Sequence, residues 1–190
     1  MFLNCHTAFS FKYGTMQVKT LFEEARRCGV HKLALTEINN VASYIEMLRL
    51  CKENAPHDGG LTAYGNPAHL LELALGVEFR KEHELLYIAL AKNNRGFEKI
   101  NRFLSYHNSE KKPLPQNAPE LEDVFIIYPF GKREPDTLRD NEFIGVRKSE
   151  LPKLLFPPFT GHRNKFVVLH PVTFASKPDF NVHRLLRAID

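Results

Sequence analysis

Short apolar runs alternate with amphipathic stretches in the first fifty residues. Residues 2–3 and 32–37 are apolar runs of the kind that form buried strands. Residues 15–28 and 41–52 place apolar side chains at helical spacing. The predicted inner faces of these two helices are Val18, Leu21, Phe22 and Ala25 in the first, and Tyr44, Ile45, Leu48 and Cys51 in the second. The order strand, helix, strand, helix predicts an α/β fold with parallel strands.

The same alternation continues to the end of the chain. Strands are predicted over residues 73–79, 84–91, 124–128, 142–146 and 165–169, and helices over residues 96–106, 151–155 and 178–189. Because only residues 80–83 separate two of these strands, a hairpin is expected there. Residues 54–69 are predicted to form a loop, and the proline-rich residues 109–119 an exposed connector. The last helix is expected to bury an inner face made of Val182, Leu185, Leu186 and Ile189.

Length and composition are those of one globular domain. The chain has 190 residues, of which 43% are hydrophobic and 25% charged, and this excludes wholesale disorder. Three cysteines without metal-type spacing favour a reducing, cytoplasmic setting, and we expect neither a signal peptide nor a membrane span. The net charge of +4 permits contact with nucleic acid without requiring it. Nine histidines raise the hypothesis of a metal enzyme.

Five segments of the chain match, in order, the motifs of one known family. Residues 4–10 and 33–40 resemble that family's His-x-His-Ser strand and its Leu-Thr-Asp-His-Gly-Asn turn. Residues 76–78, 90–97 and 179–189 resemble its Gly-x-Glu strand, its Leu-Ala-Lys-Asn-x-x-Gly-Tyr segment and its terminal Asp-x-x-x-His-x-x-Leu-x-x-Ile helix. On these segments the chain is similar to the PHP (polymerase and histidinol phosphatase) domain at the N-terminus of the bacterial DNA polymerase III alpha subunit.

The resemblance implies a fold and a place in a larger enzyme. The fold expected is a compact, distorted (β/α) barrel of the PHP type, with residues 1–190 forming a single PHP domain. The chain is then expected to be the N-terminal fragment of a longer DNA-directed DNA polymerase, a transferase of DNA replication. The residues that transfer nucleotides in that polymerase lie downstream, so no catalytic residue is assigned here. The partners implied are the remainder of the alpha subunit and a proofreading exonuclease subunit, with DNA contacted through the parent enzyme.

PHP phosphoesterases hold up to three metal ions with histidines and carboxylates at strand ends, and part of that ligand set remains in this chain. His6 and Glu78 match ligand positions directly. Glu37 replaces an aspartate, and His170 lies one position before an expected aspartate. These four residues are the remaining metal candidates. Without metal, Glu37 and Glu78 are expected to pair with a nearby Arg or Lys.

The other ligand positions carry residues that bind metals poorly or not at all. Asn4 and Ile38 stand where the family has histidines, and Pro171 and Thr173 where it has an Asp-x-His pair. A cluster of metal ions needs several ligands in fixed geometry. We therefore expect a degenerate site that holds at most one weakly bound divalent ion, Zn²⁺, Mn²⁺ or Mg²⁺.

Basic residues recur through one predicted helical region. Lys92, Arg95, Lys99 and Arg102 are candidate phosphate contacts. No aromatic residues are interleaved with them in the way that base stacking requires, which favours a solvated helix face.

Three functions are therefore compared. The leading hypothesis is a PHP domain with a mainly structural and interaction role in a replicative polymerase. The alternatives are an active metal-dependent phosphoesterase or 3'-5' exonuclease, and a stand-alone nucleic-acid-binding α/β protein.

Overall fold

The computed structural model describes residues 1–54 and 71–189 as a mixed α/β structure. The strands are β1 (Phe2–Cys5), β2 (Lys32–Ile38), β3 (Glu72–Lys81), β4 (Glu84–Ala91), β5 (Val124–Pro129), β6 (Glu142–Val146), β7 (Phe166–Val168) and β8 (Pro171–Val172). The helices are α1 (Val18–Arg27), α2 (Tyr44–Glu53), α3 (Asn94–Ser109) and α4 (Lys177–Ile189). Three short 3-10 helices cover Pro135–Thr137, Lys148–Leu155 and Arg163–Lys165. No helix in these described ranges is long and apolar enough to cross a membrane.

The chain divides into two compact units, Met1–Leu75 with Pro171–Asp190, and Gly76–His170. In the first unit β1 pairs in parallel with both β2 and β8. The register sets Asn4 of β1 beside Pro171 of β8. Parallel strands joined through helices are the construction that the sequence pattern predicts.

Helix α1 covers the sheet of the first unit as predicted. Its apolar face of Val18, Leu21, Phe22 and Ala25 is buried. Gly29 follows the helix with a φ of 65°, a left-handed conformation that glycine adopts without a steric penalty. The chain can therefore turn directly from α1 into β2.

Helix α2 buries only part of its predicted inner face: Tyr44 is buried as expected, and Cys51 is half-buried. Tyr44 and Met47 are its buried residues, whereas Ile45 is 77% and Leu48 41% exposed. The helix begins at Tyr44, and the two buried residues lie three positions apart on one face. The expectation that Ile45 and Leu48 point inward was wrong.

In the second unit the five strands follow the order β7, β6, β5, β4, β3. The hairpin predicted around residues 80–83 is present, since β3 and β4 pair antiparallel up to Lys81 and Glu84. The pair β4–β5 is also antiparallel, whereas β5–β6 and β6–β7 are parallel. Helix α3 packs through Gly96, Ile100 and Leu104, which are buried.

Helix α4 departs most from its predicted packing. Val182, Leu185 and Ile189 are 50%, 65% and 69% exposed, and Leu186 is half-buried. His183 points inward instead, and its Nδ1 forms a hydrogen bond with the Tyr13 carbonyl oxygen at 2.6 Å. The helix therefore leaves most of its aliphatic stripe in solvent.

The proline-rich segment 109–119 is exposed over most of its length, but Ala118 is buried. The Ala118 amide donates to the Tyr128 hydroxyl at 3.1 Å, and its carbonyl accepts from Arg139 at 2.8 Å. This end of the connector is thus fixed to the second unit. Most of the loop predicted over residues 54–69 lies outside the described residues.

Candidate metal site

The end of β1 carries two of the predicted positions, and both are buried. Asn4 is 1% and His6 0% exposed. The Asn4 Oδ1 accepts a hydrogen bond from the Thr36 hydroxyl on β2 at 2.8 Å. The His6 amide donates to the Val172 carbonyl of β8 at 2.9 Å, and its ring meets Tyr13 edge-on with centroids 5.0 Å apart. Asn4 is therefore used as a link between neighbouring strands.

Glu37, near the end of β2, is fully buried, and hydrogen-bond donors surround its carboxylate. The Thr7 hydroxyl donates to Oε1 at 2.5 Å, and the Thr7 amide donates to both oxygens at 3.2 and 3.1 Å. Ser10 donates to Oε2 at 2.5 Å, and Ser43 donates to Oε1 at 2.6 Å. We call Thr7, Ser10 and Ser43 the hydroxyl cage. Hydrogen bonds to a carboxylate are stronger than neutral ones, so the cage compensates the burial of Glu37.

The cage corrects one expectation from the sequence. Glu37 was expected to pair with Arg or Lys, and it is satisfied by hydroxyl and amide groups instead. Its charge acts on a neighbour: burial, together with the negative charge of Glu37, raises the pKa of the Cys5 thiol to about 12. Cys5 is thus a protonated core residue at neutral pH.

The three remaining positions of the first unit offer no metal ligand. Ile38 follows Glu37 with a hydrocarbon side chain, and its amide donates to the Ser10 hydroxyl at 3.0 Å. Pro171 lies beside Asn4 in the parallel ladder. Thr173 is buried, and its carbonyl accepts from the Thr15 amide and hydroxyl at 3.1 and 3.0 Å. The sequence had predicted Ile38, Pro171 and Thr173 as lost ligand positions.

Two further candidates lie in the second unit. Glu78 on β3 is fully buried and forms an ion pair with Arg80, whose side chain is only 10% exposed. This is the pairing with a cation that the sequence predicted. His170, which follows β7, is exposed.

The basic residues of the helical region are largely engaged. Lys99 pairs with Glu122 and Arg102 with Glu98, each at 2.7 Å. Lys92 lies over the Phe125 ring at 4.4 Å from its centroid, and Arg95 is exposed. The ion pairs leave less unpaired positive charge here than the sequence suggested.

Sequence reasoning missed the hydroxyl cage and Tyr13. The cage had a weak signal in the sequence, because Thr7 and Ser10 follow β1 just as Glu37 closes β2. The carboxyl ends of adjacent parallel strands meet at one edge of a sheet, which brings these residues together. Tyr13 had no such signal. Its ring lies edge-on between those of His6 and His183, with both centroid distances 5.0 Å.

These features define an α/β protein with His6 and Glu37 buried at the ends of two adjacent parallel strands. Residues 3–134 match the family model of the PHP domain. The match covers more than half of the chain, and the chain therefore belongs to the PHP domain family, whose α/β fold the sequence predicted.

Comparison with solved structures adds a distant match. It is a crystal structure from Bifidobacterium adolescentis, provisionally assigned as a metal-dependent phosphoesterase. The two chains share 13% identity, with a TM-score of 0.38, over 98% of this chain and 82% of the other. No curated protein matches the sequence.

The residues present do not fit the metal cluster of PHP phosphoesterases. A cation at Glu37 would have to displace donors that already occupy both carboxylate oxygens. Asn4 Oδ1 is engaged by Thr36, and the neighbouring Pro171 has no donor atom in its side chain. Within residues 1–54 and 71–189, no group of three or more His, Cys, Asp or Glu side chains could hold a metal ion.

Proposed function

We propose that this chain serves as the PHP domain of a replicative polymerase of the DNA polymerase III alpha type, with a mainly structural and interaction role. It has no metal cluster and holds at most one weakly bound divalent ion. The polymerase assignment is supported by the five ordered motifs of the sequence. The proposal that the metal site is inactive is supported above all by the Glu37 carboxylate, which accepts hydrogen bonds from Thr7, Ser10 and Ser43.

Metal ions at this site would have to compete with groups of the protein for the buried carboxylates. A metal-dependent phosphoesterase needs carboxylates that face its cations and a water that those cations activate. Glu37 faces protein hydroxyl groups, and Glu78 faces the Arg80 guanidinium. A guanidinium stays protonated in proteins, so Arg80 supplies at Glu78 the positive charge that a metal would supply.

Metal analysis of the purified chain tests the proposal that the site is inactive. The protein is prepared without added metals, and its zinc, manganese and iron contents are measured by mass spectrometry. We expect less than one ion per chain. We also expect no hydrolysis of bis-p-nitrophenyl phosphate, or of a 3'-labelled DNA strand, above a buffer control with Mn²⁺ or Zn²⁺. Two or more tightly bound ions, or turnover abolished by Glu78→Ala, would establish the phosphoesterase or exonuclease alternative.

The polymerase assignment needs a separate test. An antibody raised against these 190 residues is used to detect the native protein in extracts of the source cells. We expect a band several times heavier than the 21.9 kDa of these residues, co-sedimenting with DNA polymerase activity. A native protein of about 22 kDa that sediments away from that activity would contradict the assignment and leave the metal result intact.

A further inference from the structure

The first unit contains an apolar cavity of about 250 Å³ that the proposed function does not use. It lies beside helix α1 and strands β1, β2 and β8, away from the hydroxyl cage residues, none of which lines it. Its apolar lining includes Met16, Leu21, Ala25, Leu33 and Val172. An apolar cavity of about 150 Å³ is enough for benzene, so this cavity has room for one large apolar side chain.

The cavity continues outward along an aromatic rim. Phe2 and Phe174 line it and are 37% and 40% exposed. Phe174 and Ala175 also line a second depression, which reaches Phe180 at the start of α4. Phe180 is 39% exposed. Aromatic side chains beside a deeper apolar cavity are typical of the places where a partner inserts an anchor residue.

The rim carries positive charge on its α4 side. Lys177 lines the second depression, and the Arg184 guanidinium lies 6.0 Å from the centre of the Phe180 ring. Both side chains are exposed, and neither forms an ion pair with a carboxylate within the described residues. The nearby Asp179 accepts from the Ser176 amide and hydroxyl at 3.1 and 2.8 Å and keeps its negative charge, so the two cations outnumber the carboxylates here by one.

Across the cavity, on α1, the charges are balanced. Arg27 pairs with Glu24 at 2.7 Å, and both residues line the cavity. The unbalanced charge around the apolar opening is therefore positive. Complementary charge on a partner steers its approach and fixes its orientation.

We propose that this cavity binds an acidic linear peptide segment that inserts one large apolar side chain. The anchor occupies the cavity beneath Phe2 and Phe174, and acidic residues flanking it face Lys177 and Arg184. This site is independent of the proposed function, because it requires neither a metal ion nor membership of a polymerase.

The test uses three fluorescein-labelled peptides and the 190-residue chain. The probe is EDELFEDE; EDEAAEDE lacks the anchor, and KRKLFKRK reverses the flanking charge. Binding is followed by fluorescence anisotropy. We expect EDELFEDE to bind at least tenfold more tightly than EDEAAEDE, because loss of a buried apolar anchor costs about that factor. It should also bind more tightly than KRKLFKRK, whose flanking cations are repelled by Lys177 and Arg184. Equal binding of the three peptides, or no binding of EDELFEDE, overturns the proposal.

Matched variants place the peptide on the protein. Ala175→Phe puts a bulky ring at the cavity opening and is expected to weaken binding of EDELFEDE about tenfold. Ala42→Phe is the control, since Ala42 is also exposed but lies outside the cavity. Both alanines are exposed, so both variants should melt like the parent chain. If the two variants weaken binding of EDELFEDE equally, the peptide does not bind at this cavity.

Charge reversal tests the rim in the same assay. The Lys177→Glu, Arg184→Glu double variant is expected to weaken EDELFEDE and to reduce the salt dependence of its binding. Lys148→Glu, at an exposed position of the second unit, is the control. If the double variant binds EDELFEDE as tightly as the parent chain does, the proposed role of Lys177 and Arg184 is wrong.

Cys28 provides a reporter that needs no mutation. It is exposed and lines the cavity, whereas Cys5 is buried and Cys51 half-buried. Bound EDELFEDE should slow alkylation of Cys28 by N-ethylmaleimide severalfold, as followed by peptide mass mapping. Binding without protection of Cys28 places the peptide elsewhere. If the chain forms a dimer and Ala175→Phe abolishes it, the occupant of the cavity is a second copy of the chain, and the peptide proposal is wrong.

Discussion

Glu37 stands at a position where the resemblance predicts a metal ligand, and its carboxylate serves the fold. Its side chain is one methylene longer than the aspartate it replaces, and Thr7, Ser10 and Ser43 surround its end. Thr7 and Ser10 follow β1, and Ser43 precedes α2. One buried charge therefore links three segments of the first unit. Such a link is stable only while every donor remains in place.

Glu37→Ala is expected to lower the free energy of unfolding by about 3 kcal/mol or more, because it leaves several buried donors without an acceptor. Glu37→Gln should cost about 1–3 kcal/mol, since its amide replaces one acceptor with a donor. The measurement is urea unfolding followed by circular dichroism, with and without EDTA. Glu23→Ala on the exposed side of α1 serves as the control and should change stability little. If EDTA destabilised the parent chain as much as Glu37→Ala does, a metal ion would be holding Glu37.

At the scale of single elements, the segment that leads from β4 into α3 shows why its family motif is constrained. Asn93 caps α3, and its side chain accepts from the Gly96 amide at 3.0 Å. The Lys92 amide donates to the Asp123 carbonyl at 2.8 Å. A Cβ on Gly96 would lie 2.0 Å from that same carbonyl oxygen. Glycine is therefore required here because the backbone before β5 approaches the helix too closely for any side chain.

Strands β5 and β6 are joined by a buried polar group that lies outside the predicted site. Tyr128 on β5 donates to Glu142 on β6 at 3.0 Å, and the Arg139 side chain donates to the same Glu142 oxygen at 2.6 Å. The Arg139 amide donates to the other oxygen at 2.8 Å. Because Tyr128 and Arg139 also bind Ala118, this group fixes the end of the connector.

Glu142 should make stability depend on pH. Burial opposes its ionisation, but the hydrogen bonds from Arg139 and Tyr128 outweigh burial and hold its pKa below the ordinary value of 4.5. Its ionised form therefore stabilises the fold above that ordinary value, and this contribution is lost as the pH falls through the folded-state pKa.

We expect Glu142→Gln to cost about 1–3 kcal/mol at pH 7, with the difference from the parent chain narrowing below about pH 4. Urea unfolding between pH 3 and pH 7 measures it. Glu120→Gln, at an exposed glutamate of the same unit, controls for the change in net charge. A Glu142→Gln deficit that stays constant over this range would mean that the carboxylate's charge contributes nothing.

At the scale of the whole molecule, the net charge of +4 is too small to imply a nucleic-acid partner. Lys99 and Arg102, two of the four candidate phosphate contacts, are paired with glutamates. Binding to phosphate would have to break these exposed pairs. Exposed pairs are weak, but each broken pair removes part of the electrostatic gain.

The 190-residue chain should therefore bind single-stranded DNA weakly at low salt and lose that binding by about 150 mM salt. A variant carrying Lys92→Ala, Arg95→Ala, Lys99→Ala and Arg102→Ala should change the affinity less than twofold. Fluorescence anisotropy with a labelled oligonucleotide measures both. Micromolar binding at physiological salt that the fourfold variant abolishes would support the stand-alone nucleic-acid-binding alternative.

The sequence predicted the order of strands and helices well, but predicted poorly which helix faces are buried. The 84–91 strand was predicted to the residue, and α1 buries the four expected side chains. Local patterns suffice there, because side-chain spacing and turn residues act within a few positions. In α2 and α4 the apolar residues form more than one stripe. Periodicity could not choose between the stripes, since the choice depends on what each helix packs against.

The α/β class and the PHP family follow from the amino-acid sequence alone, because side-chain spacing and motifs can be recognised without coordinates. How the Glu37 carboxylate is satisfied depends on the tertiary structure. Ser10 lies 27 positions and Thr7 30 positions from Glu37, and only the pairing of β1 with β2 brings them together. The apolar cavity likewise exists only where α1 and strands β1, β2 and β8 come together. Such contacts are non-local, so no pattern within a single element could have shown them.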